Sequence, residues 1–319
     1  MPRKILVTGA GGFIGHHLVK HLVQQGHFVR GVDIKYPEFE ESPADDFRIL
    51  DLRDQTAALE ACAEVEDVYH LAADMGGIGF ITAYHAAVAR NNTLINLNML
   101  DSSLESGISR FLFSSSACVY PQGLQRESAV EGLREEDAHP ADPEEGYGWE
   151  KLYMEKLCQY YHEDHGLDVR VLRFHNVYGP LGTYEGGREK APAAICRKIS
   201  QACEGEEIEI WGDGQQTRSF MYVDDCVEGL VRLMDSGYEK PINLGTEELV
   251  TIEELVDVVC DIADKNLRKR YDSTKPQGVR GRNSDNVLIR QVLDWEPKIP
   301  LKEGLRVTYS WIHHQLKVV

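Results

Sequence analysis

Tyr147 and Lys151 stand four residues apart in Tyr147-Gly148-Trp149-Glu150-Lys151, and on a helix that spacing puts both side chains on one face, one turn apart. A phenol ionises near pH ~10, and a neighbouring ammonium favours the phenolate, so the pair can serve as a base for a sugar hydroxyl during hydride transfer. Hydride transfer needs an acceptor. Gly9-Ala10-Gly11-Gly12-Phe13-Ile14-Gly15 follows the strand-like Lys4-Ile5-Leu6-Val7-Thr8 and runs into a helical pattern from His16, where glycines allow a tight turn and exposed amides at a helix start stabilise a pyrophosphate. Asp33 ends the next strand, where a carboxylate accepts hydrogen bonds from ribose hydroxyls and repels a 2′-phosphate, so NAD is expected rather than NADP. Asp51 and Leu52 at the end of a third strand, and Leu71, Ala72 and Ala73 at the end of a fourth, are placed to line the same cofactor.

The elements that must carry these groups alternate. Short runs rich in β-formers, Phe28–Asp33, Phe47–Leu50, Val68–Leu71, Phe111–Ser114 and Val169–Arg173, are separated by helix-length segments. Nearly continuous apolar strands of this kind suit a doubly wound α/β fold, a Rossmann-type parallel sheet with helices on both faces, which binds ligands at the carboxyl ends of its strands. After Arg173 the pattern loosens, with turns at Tyr178-Gly179-Pro180 and Gly212-Asp213-Gly214. This divides the chain into 1–178, mainly cofactor-binding, and 179–319, mainly a smaller C-terminal substrate-binding lobe, with elements crossing between the two. A capping box at Thr251 and Glu254 opens one late helix and Leu301 begins the last. The acidic, proline-containing stretch from Pro121 to Gly146 reads as a long surface connection.

The Gly-rich turn, Ser114-Ser115-Ser116 at a strand end, and Tyr147 with Lys151 together resemble the extended short-chain dehydrogenase/reductase family, whose members include NAD-dependent epimerases and dehydratases. The resemblance implies that Ser116 orients the substrate hydroxyl, Tyr147 moves its proton and Lys151 also holds the nicotinamide ribose. Ala73-Asp74-Met75-Gly76-Gly77, Ser116-Ala117-Cys118-Val119-Tyr120, Gly186-Gly187-Arg188-Glu189-Lys190-Ala191-Pro192, Trp211–Arg218 and Gly278–Asp285 narrow it, over nearly the full chain, to the branch that epimerises GDP-mannose at C3 and C5. A C4 ketone acidifies both neighbouring carbons, and inversion then needs a base on one face of the ring and an acid on the other. By resemblance these are Cys118 and Lys190. Ser116 and Cys118, two apart on an extended strand, would face one substrate, and Pro192 in the first turn of a helix would set Lys190 at a helix start that eases loss of its proton. The resemblance further assigns the substrate contacts Gly76, Ala117, Asn176, Glu189, Ala191, Lys198, Gln216, Thr217, Arg218 and Arg282; Lys198, Arg218 and Arg282 would meet the GDP diphosphate or ribose, and Arg280 is unassigned.

Composition limits the alternatives. With 34 Lys and Arg against 52 Asp and Glu, the net charge of -18 disfavours nucleic acid and anionic membranes as partners. No apolar run approaches the ~20 residues of a membrane span, and the start of the chain lacks a signal-peptide pattern. Seven scattered cysteines suit free thiols in a reducing cytoplasm. The paired histidines lack the partners of a metal site, so none is expected. The family resemblance implies a homodimer formed near the helix that carries Leu94, Leu97, Met99 and Leu100. Two other readings stay open: an NDP-sugar 4-epimerase or 4,6-dehydratase on the same scaffold, and a non-catalytic NAD-binding regulator. The first needs neither Cys118 nor Lys190, and a dehydratase normally has an Asp-Glu pair where this chain has Ala117-Cys118.

Overall fold

A computed structural model describes residues 2–318. In chain order the elements are β1 (Lys4–Thr8), α1 (Phe13–Gln24), β2 (Phe28–Asp33), β3 (Asp46–Ile49), α2 (Gln55–Cys62), β4 (Asp67–His70), α3 (Ile78–Ala83), α4 (His85–Glu105), β5 (Arg110–Ser116), α5 (Tyr147–His165), β6 (Val169–Phe174) and β7 (Asn176–Tyr178). There follow α6 (Ala191–Gln201), β8 (Glu207–Trp211), β9 (Thr217–Tyr222), α7 (Val223–Asp235), β10 (Ile242–Leu244), β11 (Leu249–Thr251), α8 (Ile252–Ala263), β12 (Arg268–Asp272), β13 (Gly281–Arg282), α9 (Val287–Leu293) and α10 (Leu301–Val318).

Strands in the order β10-β6-β5-β4-β1-β2-β3 form a seven-stranded sheet in which every pairing is parallel. Its middle strands are buried on both faces; Leu6, Val7, Val29, Val32, Val68, Phe111 and Leu112 are each sealed from solvent. That explains why these strands read as unbroken apolar runs. The strand order reverses between β1 and β4, which opens a crevice at their carboxyl ends, the usual ligand position in such sheets. Smaller sheets, β11-β9-β13 with β7 beside β9 and β12-β8, make up the remaining lobe with α6, α8 and α10. The chain does not stay in that lobe: β10 returns to pair with β6.

Two expectations differ from the structure. Residues 121–146 are not a solvated connection: Gln125, Leu133 and Ala138 are buried. Leu133 bridges to Ser284, Arg280 N donates to Gln125 O (2.9 Å) and Thr217 Oγ1 donates to Ser128 O (2.5 Å). The stretch is therefore tied to β9 and β13, and it carries side chains into the crevice. Cys118 does not continue β5 either. The strand ends at Ser116 and residues Ala117–Val119 make a single 3₁₀ turn, in which the Cys118 N–H is capped by Ser116 Oγ (3.2 Å). Ser116 and Cys118 do come together, through a cap rather than through strand alternation.

Candidate active site

At the end of β1 the backbone turns back through Gly9, with φ at +73°. Gly12 is the N-cap of α1. A Cβ on Gly15 would lie 2.1 Å from Gly9 O, and one on Gly9 would lie 2.9 Å from Ala72 N. Turn, helix start and β4 loop are thus packed backbone on backbone, and the start of α1 at Phe13 and Ile14 carries no side-chain cap. Asp33 closes the other side. Its carboxylate accepts from Gly11 N (3.0 Å), Ile34 N (2.7 Å) and Lys35 N (3.3 Å), while burial pushes its pKa above the usual carboxylate range. A small cavity bounded by Gly11, Gly12, Phe13 and Lys35 lies here. The cradle fits a dinucleotide: pyrophosphate on the helix start and a ribose against Asp33. Gly15→Ala is expected to strip the purified protein of most of its nucleotide, measured by chromatography after denaturation; full nucleotide content would show that the turn has slack the packing denies.

Of the other cofactor positions, Leu52 is buried, whereas the carboxylate of Asp51 is turned toward solvent and gripped by Arg53 Nε and Nη2 (2.9 and 2.6 Å). Leu71 and Ala72 are fixed through their amides, both donating to Thr8 Oγ1 (3.1 Å each). That leaves the Thr8 hydroxyl to donate to His70 Nδ1 (2.8 Å), His70 Nε2–H to donate to Asn96 Oδ1 (2.8 Å) and Asn96 Nδ2 to donate to Glu150 Oε1. Each proton direction in this chain is forced by the next acceptor. Burial drives the His70 pKa down to about 3, so the ring is neutral. Thr8, His70, Asn96 and Glu150 are not marked as site residues by the sequence; they come from four separate elements, and only Glu150, inside the Tyr147–Lys151 motif, has a local signal.

Around Tyr147 the expected groups converge. Val88, Cys118 and Tyr147 form one buried cluster with Met75 and Phe80 packed against it. A Cβ on Gly148 would fall 2.3 Å from Cys118 O, so this glycine lets α5 dock on the 3₁₀ turn. Lys151 is 1% exposed, its Nζ 4.7 Å from the Phe113 ring centroid and 5.6 Å from that of Tyr147. Burial raises the Tyr147 pKa, with Cys118 and Glu150 pushing the same way and the Ser116 hydroxyl opposing; burial lowers that of Lys151 against the pull of Glu150. Lys190 is the N-cap of α6 and Pro192 sits in the first turn. Burial lowers the Lys190 ammonium pKa, with Cys118 and Cys226 opposing. Burial and Glu144 raise the Cys118 pKa, while Arg282 and Ser116 lower it.

The remaining expected contacts are held by their own networks, mostly on the lobe side. Gly77 N donates to Arg188 O (3.1 Å), joining the loop of Gly76 to that of Glu189, Lys190 and Ala191. The Glu189 carboxylate accepts from Gly187 N (2.6 Å) and lies 3.5 Å from Arg197. Asn176 Nδ2 donates to Ser219 O (3.1 Å) and Gln216 Nε2 to Trp211 O (2.9 Å); Gln216 Oε1 is buried with no partner. Lys198 Nζ donates to Glu209 O (3.0 Å). Arg218 donates only to carbonyls, those of Thr217 (2.7 Å), Gln277 (3.3 Å) and Val279 (2.6 Å), and burial beside Arg282 brings its pKa down to about 10. A half-buried guanidinium whose hydrogen bonds go to carbonyls keeps its charge available for an anion. Arg282, expected in the same role, is already engaged by Cys118, Gln125 and Glu144. Arg280 pairs with Asp213 at the surface (2.7 Å).

A parallel sheet with a dinucleotide turn at its switch point and a Tyr-Lys pair on the helix opposite defines a short-chain dehydrogenase/reductase. Residues 5–245 match the NAD dependent epimerase/dehydratase family, and the chain belongs to that family, whose cofactor is NAD. It is 47% identical to the GDP-mannose 3,5-epimerase of Arabidopsis thaliana over 98% of this chain and 83% of that one. Among solved structures it is similar to UDP-glucose 4-epimerase of Thermotoga maritima with UDP-glucose (TM-score 0.89, 29% identity, 98% and 99% of the two chains). It is also similar to UDP-glucuronic acid 4-epimerase of Bacillus cereus in complex with UDP-glucuronic acid and NAD (TM-score 0.80, 27% identity, 98% and 99%).

Proposed function

We propose that the protein converts GDP-α-D-mannose to GDP-β-L-galactose by inverting C3 and C5, with the C5-only product GDP-L-gulose on the side. The observation that carries this reading is a buried thiol, Cys118, in one cluster with Tyr147, with Lys190 at the N-cap of α6 as the candidate acid. Oxidation at C4 alone calls for Ser116, Tyr147 and Lys151; a thiol and an ammonium added to them are what a 4-epimerase does not need. Ser116 orients the C4 hydroxyl and Tyr147 takes its proton. Bound NAD supplies the acceptor, and later the donor, of the C4 hydride. With C4 a ketone, Cys118 removes a proton from C5 or C3 on one face and Lys190 delivers one to the other, through an enediolate. Tyr147 finally returns a proton to the C4 oxygen, so net redox change is zero. Arg218 and Lys198 hold the diphosphate and ribose, and Asn176, Gln216 and Thr217 contact the nucleotide sugar. The similarity to a GDP-mannose 3,5-epimerase along nearly the whole chain supports the choice of sugar and base.

We also read the protein as a cytoplasmic homodimer. Trp149, Tyr153 and Tyr160 on α5 and Leu104 on α4 are exposed, an apolar strip suited to a second copy; sedimentation as a monomer would remove this part of the reading. The cysteines, each unpaired, suit a reducing compartment. The test of the reaction is incubation of the purified protein with GDP-mannose in D₂O, without added cofactor. Deuterium at C3 and C5 with new L-sugar signals is the expected NMR result; no exchange even with NAD supplied would overturn the substrate assignment.

A further inference from the structure

One guanidinium joins three side chains at the proposed base. Arg282, 7% exposed, donates through Nε to Gln125 Oε1 (2.6 Å), through Nη1 to Cys118 Sγ (3.7 Å) and through Nη2 to Glu144 Oε1. Glu144 is itself tied to the thiol's own turn, its N–H donating to Cys118 O (3.0 Å). We propose that Glu144 is a positioning residue for Cys118: its carboxylate anchors the Arg282 guanidinium so that another N–H of the same group reaches the sulfur. The inference rests on the reading of Cys118 as the base.

The groups facing Cys118 come from every side. Arg282 lies on β13, Arg218 on β9, Tyr147 and Lys151 on α5, Lys190 at the head of α6, Ser116 at the end of β5 and Glu144 on the segment before α5. Of these cations, Arg282 is the one that hydrogen-bonds Sγ among the described residues. A buried thiol stays protonated unless a cation is held against it, and an arginine side chain left to itself has many rotamers. The carboxylate therefore acts in two opposed ways. It keeps the cation on the sulfur, which favours thiolate, and its own charge disfavours thiolate. Glutamine keeps the acceptor and removes the charge; alanine removes both.

The experiment is the pH dependence of Cys118 alkylation by iodoacetamide in the purified holoprotein, read by mass spectrometry of the Cys118 peptide so that the other cysteines do not interfere. In Glu144→Gln the midpoint is expected to fall by on the order of one pH unit, and the acidic limb of kcat/KM for epimerisation is expected to move with it. In Glu144→Ala the midpoint is expected not to fall, because the freed guanidinium leaves the sulfur. Equal downward shifts in both variants would reduce Glu144 to a distant charge and overturn the positioning role. So would unmoved midpoints in both, or a change in KM for GDP-mannose alone. Alkylation needs no turnover, so the test still reads out if GDP-mannose proves not to be the substrate.

Discussion

Tyr147→Phe is expected to lower turnover of GDP-mannose by about 10²–10⁴-fold, the usual worth of a positioned proton-transfer group, and to lower it at the first chemical step. The ring of phenylalanine fills the same buried space between Val88 and Cys118, so fold and cofactor content should survive; only the hydroxyl beside Ser116 is lost. In the wild type, burial, Cys118 and Glu150 all hold this phenol protonated, and the cation placed to offset them is Lys151, buried against the same helix face. The base form gains as pH rises, so wild-type C4 oxidation should speed up from neutral toward alkaline pH and the variant should show no such rise. Rapid mixing of protein and sugar, with reduced nicotinamide followed by absorbance, measures the step directly. Oxidation at the wild-type rate in the variant would assign the proton to another group.

What could be read from the sequence divides along physical lines. The strands of the large sheet were legible because burial on both faces demands unbroken apolar runs, and the Gly9–Gly15 turn because close backbone packing admits few residues other than glycine. Tyr147 with Lys151 was legible from helical spacing taken together with the Gly-rich turn upstream and Ser114–Ser116 at a strand end. β10 was not legible: three residues, Ile242–Leu244, have no periodicity, and their place beside β6 depends on a chain that has first built another lobe. Nor was the role of residues 121–146. Gln125, Leu133 and Glu144 are isolated inward-facing positions on an irregular, acidic backbone, held by hydrogen bonds to β9 and β13, and neither hydropathy nor charge marks such positions. The line from Thr8 through His70 and Asn96 to Glu150 was hidden for a related reason. Each link joins residues far apart in sequence, so no local pattern announces it. Cys118 and Lys190 were singled out through family resemblance alone, since neither spacing nor composition marks a lone thiol or a lone lysine as acid or base.

Cys118→Ala separates the two halves of the proposed chemistry. Ser116, Tyr147 and Lys151 remain, so the variant is expected to oxidise C4 and to return the hydride, while inversion at C3 and C5 falls by the same order as for other lost proton-transfer groups, about 10²–10⁴-fold. In D₂O the sugar should come back as unlabelled GDP-mannose with transient nicotinamide reduction still visible. The small cavity left by the missing sulfur costs little, since the 3₁₀ turn is held by backbone contacts to Ser116 and Glu144. Lys190→Met should differ in one respect: with the thiol intact, deuterium is expected to enter from the Cys118 face, labelling the original D-sugar without inverting it. That contrast, no label in one variant and label without inversion in the other, follows only if base and acid stand on opposite faces of the ring. Normal epimerisation by Cys118→Ala would remove the thiol from the mechanism, and identical labelling in the two variants would remove the two-face arrangement.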